Sequence, residues 1–329
     1  MSFIRTVLGD IDPGNLGVCY AHEHLMIDPG FATHQTPGFL LEDIDRCERE
    51  LRAFHQAGGR AAVDAMPCDC GRNVLKLAEV SRRTGVHILC PTGLHLAGYY
   101  PPGHWGDSYT PEELAGLFVA EIEQGIDARD YGGPLVSHTS HRAGLIKIAS
   151  SLGSLSAREE RIFSAAAEAH RQTGSPILTH TEQGTAALEQ VGFLQARGVD
   201  LAHLCLSHTD RKPDPGYHRE ILSTGVKVEY DSAFRWKGDQ GNPTLDLLVE
   251  LLPEFPHQIM LGMDAARSSY WQSYGGAPGL AYLLTRFSDQ LRARGVTEEM
   301  LRAIFVETPA ATFSFVARPK PGEASVPAR

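Results

Sequence analysis

The sequence predicts an α/β fold of the (β/α)8 or TIM-barrel type, built as a single domain. Eight short apolar or β-branched segments recur along the chain, and segments with helical periodicity lie between most of them. Strands that alternate with helices run parallel and are joined by helical crossovers. Eight such units in 329 residues favour a closed barrel over an open sheet.

The eight predicted strands cover residues 17–22, 60–67, 87–93, 144–150, 175–181, 201–208, 226–232 and 258–264. Helical periodicity predicts helices over residues 41–56, 73–84, 111–125, 157–173 and 185–196. Ser156 and Glu159 have the spacing of a capping box, and Thr110 precedes a proline at a first helical position. No glycine motif that could cradle a phosphate follows the first strand, which disfavours a dinucleotide-binding sheet.

No linker divides the chain, so we expect one barrel domain over residues 1–316. The remaining segment, 317–329, is polar and rich in proline, and we expect it to be disordered. With 42% hydrophobic and 21% charged residues, the composition is that of a soluble globular protein.

The formal net charge of −10 gives no broad basic surface, which disfavours nucleic acid and anionic membranes as partners. No apolar run approaches the ~18 residues of a membrane span, and we expect a cytoplasmic protein. The six cysteines are scattered, which is typical of reduced buried thiols. Cys68 and Cys70 could bind a metal as a C-x-C pair, but the chain has no second pair, so this interpretation is disfavoured.

Polar side chains cluster at the carboxyl ends of the predicted strands, the face that carries the chemistry in such barrels. The side chains of metal-ligand type on these strands are His22, His24, Lys147, His180, His208 and Asp264. A single histidine in a strand is usually an ordinary core or surface residue. Four histidines and an aspartate at the same end of the barrel instead predict a metal site.

His22 and His24 lie two residues apart in the stretch VCYAHEHLMID, so both point to the same side of the first strand. Glu23 points to the other side, and we expect it to be a structural partner outside the barrel. Lys147 lies in an apolar run, where a charged amine is costly to bury. Carboxylation by CO2 would turn this amine into a carbamate that can bridge two metals.

Five motifs carry a resemblance to a known family: AHEHL at 21–25, RAGLIKIA at 142–149, ILTHT at 177–181, LSHTD at 206–210 and LGMDAAR at 261–267. The sequence resembles the phosphotriesterase family of the amidohydrolase superfamily from Ile4 to Ala310, nearly the whole chain.

The resemblance implies a binuclear divalent metal centre. His22, His24 and Asp264 would bind the more buried metal, and His180 and His208 the more exposed one. Carboxylated Lys147 and a hydroxide would bridge the two, and Asp264 would accept the proton of the hydroxide during attack. Imidazole and carboxylate ligands suit zinc first, with manganese, cobalt or iron as alternatives.

The resemblance also implies a reaction class. Many similar family members are lactonases, so we expect attack of the bridging hydroxide on a lactone carbonyl, with phosphoester or N-acyl amide hydrolysis as alternatives. A third hypothesis is a catalytically silent barrel that serves in binding or structure. Homodimerisation is suggested by the resemblance alone.

Candidate substrate-binding residues lie on loops after the strands: His95, Lys212, Arg235, Lys237, Arg267 and Tyr270. His95 stands where lactonase relatives commonly have a tyrosine, and it could donate the same hydrogen bond. The cations and Tyr270 suggest that the substrate carries an anionic group, a phosphate or a carboxylate, although solvated surface charge is the alternative for each. The aromatic segment Gly98–Trp105 is expected either to form a wall of the site or to pack on the surface.

Overall fold

The computed structural model describes residues 2–236 and 241–316, and within these it confirms the predicted barrel. An unpredicted antiparallel hairpin precedes the barrel, formed by β1 (Ile4–Thr6) and β2 (Gly9–Ile11). The barrel strands are β3 (Cys19–Glu23), β4 (Ala61–Asp64), β5 (His87–Leu89), β6 (Pro91–Gly93), β7 (Leu145–Ser150), β8 (Ile177–Thr181), β9 (Leu204–Ser207), β10 (Lys227–Tyr230) and β11 (Ile259–Leu261). The third predicted strand is divided at Cys90, so β5 and β6 together form the third barrel strand.

The barrel is closed by parallel pairing in sequence order. Parallel ladders join β3, β4 and β5 on one side and run from β6 through to β11 on the other. The last strand meets the first where the backbone N–H groups of Met263 and Asp264 donate to the His22 carbonyl at 3.2 and 3.0 Å. Asp264 and His22 are therefore brought together by the closure of the barrel.

The helices surround the barrel, and the five predicted ones are confirmed, one with the predicted bounds and four with slightly shorter bounds. The α-helices are α1 (Phe31–Gln35), α2 (Ile44–Gln56), α3 (Val74–Thr84), α4 (Pro111–Glu123), α5 (Ala157–Thr173), α6 (Ala187–Gln195), α7 (Pro215–Ser223), α8 (Pro243–Leu251), α9 (Ser288–Ala293), α10 (Glu298–Arg302) and α11 (Thr308–Thr312). The capping boxes of Ser156 with Glu159 and of Thr110 with Glu113 both form. No helix of the described residues is long and apolar enough to cross a membrane.

The core has two layers. A small cluster fills the barrel interior and includes Cys19, Ala21, Leu145 and Leu178, and a much larger one packs the strands against the helices. All six cysteines are buried and unpaired, as predicted. Among the described residues, no group of potential metal ligands includes Cys68 or Cys70. The predicted disorder of residues 317–329 lies outside the described part of the chain.

A β-bulge interrupts β3 between Tyr20 and Glu23, at the predicted metal ligand His22. Tyr20 pairs with Ala62 of β4, but Glu23 already pairs with Asp64, so β3 contains one residue more than β4 over this interval. The bulge shifts the alternation of side chains. Ala21 lies in the interior cluster, yet His22 also faces the barrel, and Glu23 does not.

The amino end of the barrel is sealed by residues from both ends of the described chain. Ile4 and Phe313 belong to the interior cluster, beside the first residues of several strands. The rings of Phe3 and Phe315 stack with centroids 4.6 Å apart, and the Phe315 N–H donates to the Phe3 carbonyl at 2.9 Å. This face lies opposite the metal-ligand histidines.

Candidate metal centre

The metal-ligand side chains predicted from the sequence meet at a cavity of 460 Å³ at the carboxyl ends of the strands. The cavity is lined by His22, His24, Ile27, Phe39, Met66, His95, Tyr99, His180, His208, Arg211, Ser232, Arg235, Trp236, Asp264, Ala266, Arg267 and Tyr270. Its volume is in the range typical of small-molecule sites. Lys147 lies beneath the cavity as the third residue of β7 and is fully buried.

His22, His24 and Asp264 form one corner of the site. The Asp264 Oδ1 atom lies 3.2 Å from His24 Nε2 and 3.7 Å from His22 Nε2. Asp264 has a positive φ of 45°, an uncommon conformation outside glycine that turns its side chain at the end of the barrel strand. Together the three residues present two imidazole nitrogens and one carboxylate oxygen to the same point.

His180 and His208 form the second corner. Their ring centroids are 4.4 Å apart, and His208 lies 4.6 Å from His22. His208 follows β9 with a φ of 66°, so it faces the cavity although its neighbour Ser207 also points inward, to His22 Nδ1 at 2.9 Å. Asp231 accepts a hydrogen bond at His208 Nδ1. This leaves Nε2 of His208 free to bind a metal.

The protonation states suit cation binding. Burial lowers the pKa values of His22, His180 and His208, which favours the neutral imidazole that ligates metals. Burial alone would raise the pKa of Asp264, but the charge of Arg235 beside it holds that pKa well below its usual range. The carboxylate is therefore ionised, the form in which it binds a cation.

Lys147 has no partner for its buried amine. Its side chain is 0% exposed, and Nζ makes no hydrogen bond to the described residues. Burial lowers its pKa to about 8. An unpaired buried amine is costly, so its presence among these ligands fits a site completed by a further group. The neutral imidazoles, the ionised carboxylate and this orphaned amine together fit a divalent metal centre.

Two arginines contact the far side of Asp264. Arg211 Nη2 donates to Asp264 Oδ2 at 2.7 Å, and Arg235 Nη2 donates to the same oxygen at 3.0 Å. Both guanidinium groups also donate to Asp231 Oδ1, at 3.1 and 3.3 Å. Arg235 was predicted to bind substrate and does line the cavity, but its Nη1 and Nη2 donors are engaged here and it holds Asp264 in place.

Lys212 does not line the cavity, although it was predicted to bind substrate. Its ammonium lies 3.7 Å from the centroid of the Tyr217 ring, away from the residues that line the cavity. The reason is the short 3-10 turn Thr209–Arg211, in which residues three apart lie on the same side. Arg211, three residues after His208, therefore faces the cavity in place of Lys212.

The other candidate substrate residues are placed in different ways. His95, Arg267 and Tyr270 line the cavity, and Lys237 lies outside the described residues. The aromatic segment supplies Tyr99, whose ring lies 3.9 Å from that of His95. Trp105 packs away from the cavity, donating to Asp69 Oδ2 at 3.1 Å.

Sequence reasoning missed Arg211, Glu229 and Asp231, all close to the metal-ligand residues. Glu229 and Asp231 stand two apart in the apolar run VKVEYDS, so both face the barrel interior. That alternation was a usable signal. Glu23 was predicted correctly as a structural partner, since its carboxylate accepts from the backbone N–H groups of Met263 and Ala265.

A closed (β/α)8 barrel whose strand ends carry these ligands defines a metal-dependent hydrolase of the amidohydrolase type. Residues 2–313 match the model of the phosphotriesterase family. A phospho-furanose lactonase from Mycoplasmopsis agalactiae is 31% identical over 323 residues, which cover 95% of this chain and 92% of that protein. The chain belongs to the phosphotriesterase family.

Solved structures agree with this assignment. An amidohydrolase from Mycoplasma synoviae has a TM-score of 0.91 and 31% identity, covering 97% of this chain and 93% of the other. A lactonase from Listeria monocytogenes has a TM-score of 0.87 and 31% identity, covering 96% of this chain and all (100%) of the other.

Proposed function

We propose that this protein is a metal-dependent lactonase that opens a polar sugar lactone carrying an anionic group, with phosphate as the first candidate. The observation that carries the proposal is a cavity with the proposed metal ligands on one wall and, at its rim, the guanidinium of Arg267, which has no ion-pair partner among the described residues. The similarity to a phospho-furanose lactonase over 95% of the chain supports both the reaction and the charge of the substrate.

His22, His24 and Asp264 would hold one divalent cation and His180 and His208 a second, with zinc as the first candidate. We propose that Lys147 is carboxylated and bridges the two, which would give its orphaned Nζ a chemical purpose. Such ions, when bound, lower the pKa of a bound water and polarise a carbonyl or phosphoryl oxygen.

Asp264 is placed to take up the proton of the attacking water. Its Oδ2 atom is held by Arg211 and Arg235, so Oδ1 is the oxygen directed toward the histidines. The two arginines fix the rotation of the carboxylate, and a proton accepted at Oδ1 can then be passed to the oxygen that leaves the ring.

His95 is placed to donate a hydrogen bond to the substrate. Its Nδ1 accepts from the Leu96 backbone N–H at 2.7 Å, and burial lowers the pKa of the ring. A neutral imidazole whose Nδ1 is an acceptor carries its proton on Nε2. That N–H can serve the substrate oxygen in place of the tyrosine of lactonase relatives.

Arg267 and Tyr270 are the proposed holders of the anionic group. The Arg267 guanidinium lies 4.8 Å from the centroid of the Phe39 ring, and no ion pair engages it among residues 2–236 and 241–316. Lys237 remains a proposed third contact. The rings of Phe39, Tyr99 and Trp236 also line the cavity and would exclude water around a bound sugar lactone.

The test is a hydrolysis panel with zinc-loaded protein, using proton release from phosphorylated sugar lactones, neutral lactones, phosphoesters and N-acyl amino acids. We expect the phosphorylated lactones to have the highest kcat/KM. A preference for phosphoesters or N-acyl amino acids would replace the proposed function by one of those alternatives. Asp264→Asn should lower kcat by at least ~10²-fold with an unchanged circular dichroism spectrum, whereas a catalytically silent barrel would show no activity to lose.

Arg267→Gln tests the anionic group separately. We expect it to raise KM for a phosphorylated lactone by about tenfold or more, because a charge-assisted hydrogen bond is lost, and to leave a neutral lactone unaffected. Arg49→Gln, an exposed arginine on α2, is the matched control and should change neither. Equal effects of Arg267→Gln on both substrates would contradict the assignment.

We further propose that the protein is a cytoplasmic homodimer, as expected from the family resemblance and the six unpaired cysteines. Light scattering on the eluting peak of a sizing column would give the oligomeric mass, and cell fractionation would give the location. A monomer mass would contradict the proposed dimer, and recovery outside the cytoplasm would contradict the proposed location.

A further inference from the structure

Glu229 is a buried carboxylate beside the proposed metal ligands, and among the described residues it has no hydrogen-bond partner. It is 0% exposed on β10, and neither side-chain oxygen accepts a hydrogen bond from the described residues. Other buried carboxylates in this chain are satisfied: Glu23 accepts two backbone N–H groups, and Glu121 accepts from Arg72 at 2.7 and 2.8 Å. Among the described residues, Glu229 is the one carboxylate whose buried oxygens both lack a hydrogen bond.

The carboxylate lies behind His22, on the side away from the cavity. Glu229 Oε2 is 3.7 Å from His22 Nδ1, while His22 Nε2 faces Asp264. Asp231, two residues along β10, occupies the corresponding place behind His208. The seventh barrel strand thus supplies none of the predicted ligands, yet it places one carboxylate behind each of two ligand histidines.

Gly262, which follows β11, leaves the space that the Glu229 carboxylate occupies. A Cβ atom at Gly262 would lie 2.7 Å from Glu229 Oε1 and 2.6 Å from the His22 carbonyl oxygen. The absence of a side chain at Gly262 makes room for the Glu229 carboxylate next to His22. Lys147, whose buried amine also lacks a hydrogen bond, forms no ion pair with Glu229 among the described residues.

We infer that Glu229 is a positioning residue of the metal centre. Its negative charge offsets the charge of the bound cations, and it favours the tautomer of His22 that carries its proton on Nδ1 and leaves Nε2 for the metal. An isolated buried anion is costly in the absence of a cation nearby. The hydrogen bond at His22 Nδ1 is made with Ser207 Oγ at 2.9 Å, so Glu229, at 3.7 Å, acts on the ring through its charge, which increases the basicity of the metal-binding nitrogen. Both effects make the Glu229 charge favourable only when the metals are bound.

The test measures metal binding and thermal stability rather than activity. Glu229→Gln keeps the shape and removes the charge. We expect it to weaken zinc binding by about tenfold in competition with a chromophoric chelator. It should lower the melting temperature of the zinc-loaded protein, and leave that of the metal-stripped protein unchanged or higher. Glu229→Asp keeps the charge, and its zinc affinity should be closer to that of the wild type. This variant also keeps the inference testable if the Gln variant fails to fold.

Glu121→Gln is the matched control, because it makes the same change at a buried carboxylate that is paired with Arg72 away from the cavity. It should lower the melting temperature with and without zinc and leave zinc affinity unchanged. If Glu229→Gln behaves like this control, or binds zinc as tightly as the wild type, the inference is wrong. The inference rests on the metal centre of the proposed function and not on the substrate. A wild-type protein that binds no zinc would therefore overturn the proposed centre itself.

Discussion

Asp264 has two oxygens with different surroundings. Oδ2 is held by the arginines Arg211 and Arg235, whereas Oδ1 lies against the imidazoles of His22 and His24. A carboxylate fixed at one oxygen cannot rotate, so the other keeps its direction toward the cavity. The position of this one residue therefore depends on Arg211 and Arg235, neither of which is a predicted metal ligand.

Replacing Arg211 by glutamine should reduce kcat by ~10²-fold, because small misplacements of a reacting group have effects of this size. Metal content should stay close to that of the wild type, since Arg235 still holds Asp264. Arg211→Lys keeps the charge but loses the planar pair of donors, so its kcat should lie between those of the wild type and of Arg211→Gln. Steady-state kinetics with metal analysis of each variant measures this, and a wild-type kcat for Arg211→Gln would contradict the role of the arginine.

At the scale of elements, two local departures from regular strand geometry direct two of the proposed ligand histidines toward the cavity. The bulge in β3 turns His22 inward after Ala21, and the positive φ of His208 turns it inward after Ser207. Simple alternation from Cys19 and Ala21 would have directed Glu23 into the barrel. Bulges of this kind are frequent next to active sites, where they redirect a side chain.

Gly93, at the end of β6, allows β6 to pack closely against β7, the strand that carries Lys147. Its φ is 109°, and a Cβ atom there would lie 1.9 Å from the Lys147 carbonyl oxygen of β7. Gly93→Ala should therefore separate the two strands, destabilise the fold by more than ~2 kcal/mol and reduce bound zinc. Urea unfolding and metal analysis would measure both.

Gly98→Ala is the control for this substitution, because a Cβ atom at Gly98 meets nothing within 4 Å. It should change stability by less than ~0.5 kcal/mol. Equal stability of the two variants would show that β6 and β7 tolerate a wider spacing than the structure has.

The sequence was sufficient for the order of the barrel strands, which follows from periodicity, and for the location of the histidines at the strand ends. The inward direction of His22 and His208 depends on the bulge and on the positive φ, which periodicity does not predict. It was insufficient for the hairpin β1–β2, whose strands of three residues are too short for a periodic pattern. Arg211 was missed because its direction depends on the 3-10 turn after His208, and the same turn directs Lys212 away from the cavity. Contacts set by turn geometry leave no trace in residue spacing alone.

At the scale of the molecule, the proposed ligands come from widely separated parts of the chain. His22, Lys147, His180 and His208 lie on or after β3, β7, β8 and β9, and Asp264 follows β11, which closes the barrel. The unfolded chain cannot bring these groups together. Metal binding should therefore stabilise the native barrel as a whole.

Removal of metal by a chelator should lower the melting temperature in one cooperative transition, and added zinc should restore it. Zinc at 1,000 times its dissociation constant would contribute ~4 kcal/mol. Calorimetry of the stripped and reloaded protein tests this, with Glu121→Gln as a variant that should respond to zinc like the wild type. Identical melting of the stripped and loaded forms would be inconsistent with a centre that links these strands.

The stacked rings of Phe3 and Phe315 place both ends of the described chain at the amino end of the barrel, opposite the cavity. A surface or resin attached near either residue would hold the barrel with its opening toward the solution. Substrate could then reach immobilised molecules freely, and tethering at this face should preserve turnover where random coupling through surface lysines would not.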